Sequence, residues 1–307
     1  MILMFGRIRD PIVAHLAVHL AARSADLVLV EPSDASNVPR VQWQGDQHGL
    51  DGVVTIGERS LEARAIRSMY VREIGGGAVR RPASGADVGS RALAESLWAL
   101  TDAYRGLVVN RRMASCTNAS KPYQLDMIRR QGFRVPHTMV TTRPDAARAF
   151  WEEFRGEVIY KSLSSERSIV KPMTRADLSR LELVRSCPVQ LQERIPGVDI
   201  RVHVVGARVF ATEIRSHAAD YRYAELDGAS REMRPIQLPE HVASRCVGLT
   251  KALGLVVAGV DLRRTLEGDY CCFEANPSPA FLWFEDITGQ RIGAAIADLL
   301  CEGAVWN

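Results

Sequence analysis

The chain has 307 residues, 47% of them hydrophobic and 24% charged, a balance that suits a soluble globular protein long enough to build one multi-lobed enzyme. A formal net charge of +3 argues against bulk nucleic-acid binding, and no apolar run is long enough to cross a bilayer, so neither nucleic acid nor membrane is expected as a partner. The six cysteines include no Cys-x-x-Cys pair and read as reduced core thiols of a cytoplasmic protein.

Met-Ile-Leu-Met-Phe-Gly at the start is too short and too soon interrupted for a signal peptide, and it reads as a first buried strand. From there to residue 113, strand and helix patterns alternate as in an open α/β layer, with strands expected at 2–5, 27–30, 68–72 and 107–110. His15 and His19 stand one helical turn apart, as a metal pair could. No third ligand is near in sequence, so a helix-surface or packing role is expected. Gly, Arg and Ala dominate residues 75–89, which are expected to form a mobile connector; Gly75-Gly-Gly77 is followed by no Lys-Ser/Thr and reads as flexible chain, not a phosphate loop.

A middle lobe is expected over 114–190 and a last lobe over 191–307. Ser120 is placed to cap a helix that has Pro122 in its first turn and Gly132 at its end. Lys121 then sits at a helix N-terminus, where dipole and charge both attract phosphate. Strands at 189–195, 199–205, 208–215, 256–262 and 270–276 are assigned to the last lobe. Two helices should pack on them, one through Val242, Cys246, Leu249 and Leu253, the other through Ile292, Ala295, Ile296, Leu299 and Leu300.

The richest stretch is Ala258-Gly-Val-Asp261, a turn at Gly268-Asp269, and Tyr270-Cys-Cys-Phe-Glu274-Ala-Asn276-Pro. Residues two apart on a strand share a face, so Glu274 and Asn276 project together, and a neighbouring strand can bring Asp261 beside them. Two carboxylates and an amide oxygen suit a Mg²⁺ that keeps several waters and holds phosphate oxygens. A polar strand edge with Asn-Pro as turn chemistry is the plainer alternative. Arg201, Arg208, Arg215, Arg222, Arg231 and Arg234 concentrate in the same region; they are either solvated or a set of planar forks for phosphate and carboxylate.

In order along the chain, Asp261 and Glu274-x-Asn276-Pro resemble the metal site of the ATP-grasp superfamily, whose members couple ATP cleavage to joining a carboxylate with a nucleophile. Val189-Gln-Leu-Gln-Glu193-Arg-Ile-Pro-Gly-Val-Asp199-Ile-Arg201 is similar to that superfamily's hinge strand and the strand after it. Gly156-Glu-Val-Ile-Tyr-Lys161 resembles the strand carrying a phosphate-binding lysine. Lys121-Pro-Tyr-Gln-Leu125, Gly132-Phe-Arg-Val-Pro136-His-Thr138, Pro277-Ser-Pro-Ala-Phe281 and Ile214-Arg-Ser-His217-Ala-Ala-Asp220-Tyr-Arg222 resemble one branch. That branch is the graspetide synthetases, microviridin-type enzymes that macrocyclise ribosomal peptides and are related to glutathione synthetase and ribosomal-protein glutamate ligases. The fold implied is α/β with α+β lobes. An open α/β pre-ATP-grasp domain at 1–113 would precede the central ATP-grasp lobe at 114–190 and the C-terminal lobe with the metal site at 191–307.

The resemblance implies an acyl-phosphate route with ATP and two Mg²⁺ as cofactors, Glu274 shared between the ions, Asp261 on one and Asn276 on the other. It places Lys121 and Lys161 along the phosphates and Arg201 at the transferring phosphoryl group, with Arg215 nearby on the adjoining strand. Gln192, Glu193, Arg194 and Ile195 would line adenine, Asp199 or Glu193 would take a ribose hydroxyl, and His217, Asp220 and Arg222 would meet the substrate. One departure stands out: residues 162–168, Ser-Leu-Ser-Ser-Glu-Arg-Ser, hold no glycine where the family closes a glycine-bearing loop.

The leading expectation is an ATP-dependent macrocyclase that forms ester or amide bonds from Asp/Glu side chains of a precursor peptide with an acidic core. A ligase joining an amino acid or other small amine to a small-molecule or peptide carboxylate is the alternative, and a binding protein that has lost catalysis is a third. The sequence leaves the oligomeric state open, a homodimer among the options.

Overall fold

The computed structural model describes residues 1–31, 39–47, 49–56, 58–72, 86–162, 170–216 and 231–304. The first layer begins with β1 (Ile2–Phe5), wholly buried, and α1 (Pro11–Ala21). Asp10 starts that helix by accepting the Ile12 and Val13 amides, with Pro11 in the first turn where its missing N–H costs nothing. β2 (Leu27–Val30) follows, then an antiparallel three-stranded sheet of β3 (Arg40–Asp46), β4 (Gly49–Ile56) and β5 (Arg59–Glu62). The sequence reading did not foresee this small sheet. β6 (Ser68–Val71), α2 (Ala86–Ala103) and β7 (Leu107–Val109) complete a parallel sheet in the order β2-β1-β6-β7. Helix α2 takes in residues 86–89, a correction to the mobile connector expected over 75–89; residues 75–85 lie outside the described residues.

A short α3 (Arg112–Ser115) leads to α4 (Lys121–Arg130), which ends before Gly132 at φ +81°. Ser120 stands at the cap position as expected, but its side chain makes no capping bond. The central sheet has β8 (Thr138–Thr141), then α5 (Pro144–Glu153), β9 (Val158–Ser162), β10 (Lys171–Pro172) and, after a 3₁₀ segment at Arg175–Arg185, β11 (Val189–Glu193). Their order is β10-β9-β11-β8, all antiparallel. β11 therefore belongs to the central sheet, and its assignment to the last lobe is corrected.

The last sheet is β12 (Gly197–Val205), β13 (Arg208–Ser216), β14 (Arg231–Ile236), α6 (Glu240–Ala252), β15 (Val257–Thr265) and β16 (Tyr270–Asn276), followed by α7 (Leu282–Thr288) and α8 (Ile292–Glu302). Strand order is β14-β13-β12-β15-β16, so β14 and β16 are edges. One face, with Ile200, Val202, Val204, Val260 and Leu262, packs on α6 through Val242, Cys246 and Leu249 and on Ile128 of α4. On the other face Val205, Ile214 and Val257 meet α8, whose Ile292, Ala295, Ile296, Leu299 and Leu300 follow a helical period and also pack against α1. Each fully buried aliphatic side chain here contributes roughly 1.5–3 kcal/mol, so α8 fastens the first layer to the last sheet. Asn110, at the end of the first layer, adds a polar staple. It donates to the Val257 and Pro277 carbonyls and accepts from the Val256 and Val257 amides at 2.6–3.2 Å.

Cys246, Cys271 and Cys272 are buried, and burial pushes the first two thiols up to about 12. Cys116 and Cys187 are exposed, so the expectation of six core thiols is corrected. No helix among the described residues is long and apolar enough to cross a membrane.

Candidate active site

Register across the last sheet builds the site. Arg201 on β12 lies opposite Asp261 on β15, Asp261 lies opposite Glu274 on β16, and Gly259 lies opposite Asn276. Directly opposed residues share a sheet face, so these five positions form one patch. A shift of register keeps it that way: Asp261 pairs with Glu274 but Leu262 pairs with Cys272, which leaves Phe273 as an extra residue. The bulge allows Cys272 to enter the core on one face while Glu274 turns to the other. Gly259 provides room, since a Cβ there would stand 2.0 Å from Arg201 Nη2 and 2.8 Å from Pro279 Cβ. A cavity of about 130 Å³ is lined by Arg201, Asp261, Glu274, Asn276, Trp283 and Phe284.

The carboxylates are held by cations. Arg201 Nη1 donates to Asp261 Oδ1 at 2.7 Å with the arginine side chain 8% exposed. Lys121 Nζ, in the first turn of α4, donates to Glu274 Oε2 and to Asn118 Oδ1, both at 2.9 Å. Desolvation pushes the Glu274 carboxyl up, but the charge and hydrogen bond of Lys121, with the charges of Lys161 and Arg201, outweigh it and hold the group below its ordinary value. His203, fully buried beneath Arg201 and edge-on to Phe284, is driven well below its ordinary value by burial first and by Arg201 second, so it is neutral.

The donor set fits a hard divalent cation. Asp261, Glu274 and Asn276 present two carboxyl groups and an amide on one face, and Asn276 Oδ1 keeps a lone pair beyond the bond it accepts from the Ser278 amide at 2.9 Å. Among the described residues there is no three-member His, Cys, Asp or Glu cage. Two carboxylates, with remaining positions left to water and phosphate oxygens, is the provision Mg²⁺ accepts.

Other expected residues lie on the central sheet and at the start of the last one. Lys161 sits on β9 opposite Gln190, close enough for its charge to act on Glu274. Gln192 is buried and donates to Thr138 Oγ1 at 3.0 Å. Glu193 accepts from Arg134 Nη2 at 3.1 Å and from the His137 amide at 3.2 Å. The Arg194 amide bonds the Glu157 carbonyl at 2.9 Å. Ile195 is buried, and its carbonyl takes Arg263 Nη1 at 2.9 Å while Arg263 also grips Asp199 Oδ1 through Nε at 2.8 Å and Nη2 at 2.6 Å. Arg263 thus ties the hinge exit to the last sheet.

One expected neighbour does not join. Arg201 pairs with Thr212, so Arg215, an odd number of residues further along β13, points to the opposite face. There it binds the buried carboxylate of Glu213 together with Arg234 and Arg264. Arg208 likewise pairs with Asp298, and Arg231 lies over the Trp283 ring at 4.2 Å. His217, Asp220 and Arg222, and residues 163–168 of the glycine-free loop, lie outside the described residues. His15 and His19 bring their Nε2 atoms to 3.1 Å, with Glu285 Oε2 2.9 Å from His15, in the contact of α1 with α7. Sequence reading missed Asn118, Gln124, Arg263 and Trp283. Of these only Gln124, three residues after Lys121 and so on its helix face, carried a signal.

Residues 119–300, more than half of the chain, match the model of the RimK-like ATP-grasp domain. The chain belongs to that family. Its members are ATP-dependent carboxylate–amine ligases that use ATP and Mg²⁺. A probable alpha-L-glutamate ligase of Teredinibacter turnerae is 28% identical over 207 residues, 64% of this chain and 68% of that one. Similarity of fold extends further. The macrocyclase MdnC of Microcystis aeruginosa, bound with precursor peptide MdnA, superposes with a TM-score of 0.81 over 99% of this chain and 100% of its own at 23% identity. The ATP-grasp ligase PsnB, complexed with a phosphomimetic variant of a minimal precursor, Mg and ADP, gives 0.81 over 98% of each chain at 25% identity.

Proposed function

We propose that this ATP-grasp ligase macrocyclises a precursor peptide, joining Asp or Glu side chains of an acidic core to Ser/Thr hydroxyls or Lys amines of the same peptide. What supports this most is that MdnC and PsnB superpose on the whole chain, first layer included, with TM-scores of 0.81. In the proposed reaction a peptide carboxylate oxygen attacks the γ-phosphorus, ADP leaves, and the acyl phosphate is then attacked by the hydroxyl or amine with loss of phosphate. Water's elements leave the peptide once per bond formed.

The chain's own residues supply positioning and charge. Asp261, Glu274 and Asn276 would hold Mg²⁺, which when bound neutralises phosphate charge. Lys121 and Lys161, both already acting on Glu274, would turn to the phosphates. Arg201, fixed by Asp261 and by the space over Gly259, would meet the transferring phosphoryl group. Gln192, Glu193, Arg194 and Ile195 would form the adenine wall, with Asp199 or Glu193 at the ribose. His217, Asp220 and Arg222 would contact the peptide. Trp283, under the Arg231 guanidinium, gives the cavity an apolar wall. The reaction is proposed to take place in the cytoplasm.

A second reading, addition of a free amino acid to a carboxylate, draws on the glutamate-ligase relative. ADP release measured with ATP and Mg²⁺ separates the two: an acidic peptide containing Ser, Thr or Lys should stimulate it. Stimulation by free glutamate or other amino acids and by no peptide would reject macrocyclisation in favour of the second reading.

A further inference from the structure

We infer that Gln124 is a positioning residue for the metal-binding strand. The inference rests on the assignment of Asp261, Glu274 and Asn276 as Mg²⁺ ligands. β16 is an edge strand, and β15 covers only one of its sides. On the outer side the Ala275 amide and carbonyl, between Glu274 and Asn276 in sequence, have no strand among the described residues to pair with. Gln124 takes that place: Nε2 donates to the Ala275 carbonyl at 2.8 Å, and Oε1 accepts the Ala275 amide at 3.1 Å. The side-chain amide acts as the missing peptide group of a neighbouring strand, and only one amide orientation satisfies both bonds.

Gln124 is 1% exposed and Ala275 is fully buried, so water cannot replace either bond. Lys121 and Gln124, one turn apart on α4, thus grip adjacent residues of β16, one by the Glu274 carboxylate and the other by the Ala275 backbone. The next outward amide, that of Cys272, is taken by the Arg134 carbonyl at 2.9 Å. Between that bond and the Asn276 turn, Gln124 is the group that holds the outer edge. Its loss should let the strand end relax and carry Glu274 and Asn276 out of their common alignment with Asp261.

Three readings test this: Mn²⁺ binding to the enzyme with a non-hydrolysable ATP analogue, followed by electron paramagnetic resonance; metal-free binding of a fluorescent ATP analogue; and thermal unfolding. Groups that orient metal ligands typically contribute 10–100-fold in metal affinity, so Gln124→Leu should weaken Mn²⁺ by about 10-fold or more and leave metal-free nucleotide binding unchanged. Gln124→Glu, which keeps the acceptor for the Ala275 amide but sets an oxygen against its carbonyl, should fall between wild type and Gln124→Leu, and it carries the test should the leucine variant not fold. Asp126→Asn, which alters only the exposed ion pairs with Arg129 and Arg130, should behave as wild type. Wild-type Mn²⁺ affinity in the folded Gln124 variants, or an equal loss in Asp126→Asn, would overturn the assignment alone. Absence of metal-dependent nucleotide binding in the wild type would overturn the metal site with it.

Discussion

Replacing Glu274 by Gln keeps the side chain's shape and removes one negative charge from a site that holds three nearby cations. The Lys121–Glu274 contact is 2.9 Å with side chains 15% and 24% exposed, so a charge-assisted bond worth about 1.5–3 kcal/mol is weakened to one accepted by a neutral amide oxygen. The cost should lie toward the lower end of that range, because Lys121 keeps its bond to Asn118. Calorimetry should therefore show a folded protein with a modestly lower unfolding temperature. Turnover should respond far more, falling at least ~10²-fold, as expected when a preorganised charge at the phosphoryl-transfer centre is removed. Metal-free nucleotide binding should move the other way and tighten, since Lys121, Lys161 and Arg201 lose the carboxylate they now share. The discriminating assay is a pair of titrations of a fluorescent ATP analogue, with and without Mg²⁺, run beside steady-state ADP release. Near-normal Mg²⁺-dependent turnover, or metal-free affinity that drops, would refute this account of the site.

Gly259→Ala should act as an indirect lesion of Arg201, because the new Cβ would stand 2.0 Å from its guanidinium; kcat should fall with little change in nucleotide affinity, and unchanged kcat would remove Arg201 from the chemistry. Lys161→Ala should weaken ATP binding in a direct titration, while Arg215→Ala, which lies on the opposite sheet face, should leave it unaltered. Because the folded Glu274 carboxyl is held below its ordinary value, its contribution to stability is full above the unfolded value of about 4.3 and is lost as pH falls through the lower folded one. Acid unfolding of the wild type and of Glu274→Gln should accordingly converge at low pH, and curves that stay parallel would contradict the shift.

The chemistry-bearing strands were legible because their signals are local. Glu274 and Asn276 share a face by period two, Gly268-Asp269 marks the turn, and the stripes on α6 and α8 follow the helical period. What escaped depends on pairing between distant segments. Arg215 was placed beside Arg201 from strand adjacency, but the face it occupies is set by the Arg201–Thr212 register, which no local pattern encodes. β11 was assigned by nearness in sequence to β12, yet hydrogen-bonds to β9 and β8. β3 to β5 were missed because Gln, Asp and Gly interrupt their alternation. Gln124 looked like an ordinary helix residue, and its role appears only once the outer edge of β16 is seen to need a partner.

The proposal that ATP is spent on closing rings within a peptide is tested most directly with ¹⁸O in the peptide's side-chain carboxylates. The enzyme, ATP and Mg²⁺ are incubated with an acidic precursor peptide, and peptide and phosphate are examined by mass spectrometry. Each bond formed should release one ADP and one phosphate carrying a single ¹⁸O, and leave a peptide that has lost the elements of one labelled water. Unlabelled phosphate with an unchanged peptide, or a product that has gained a free amino acid, would contradict the account.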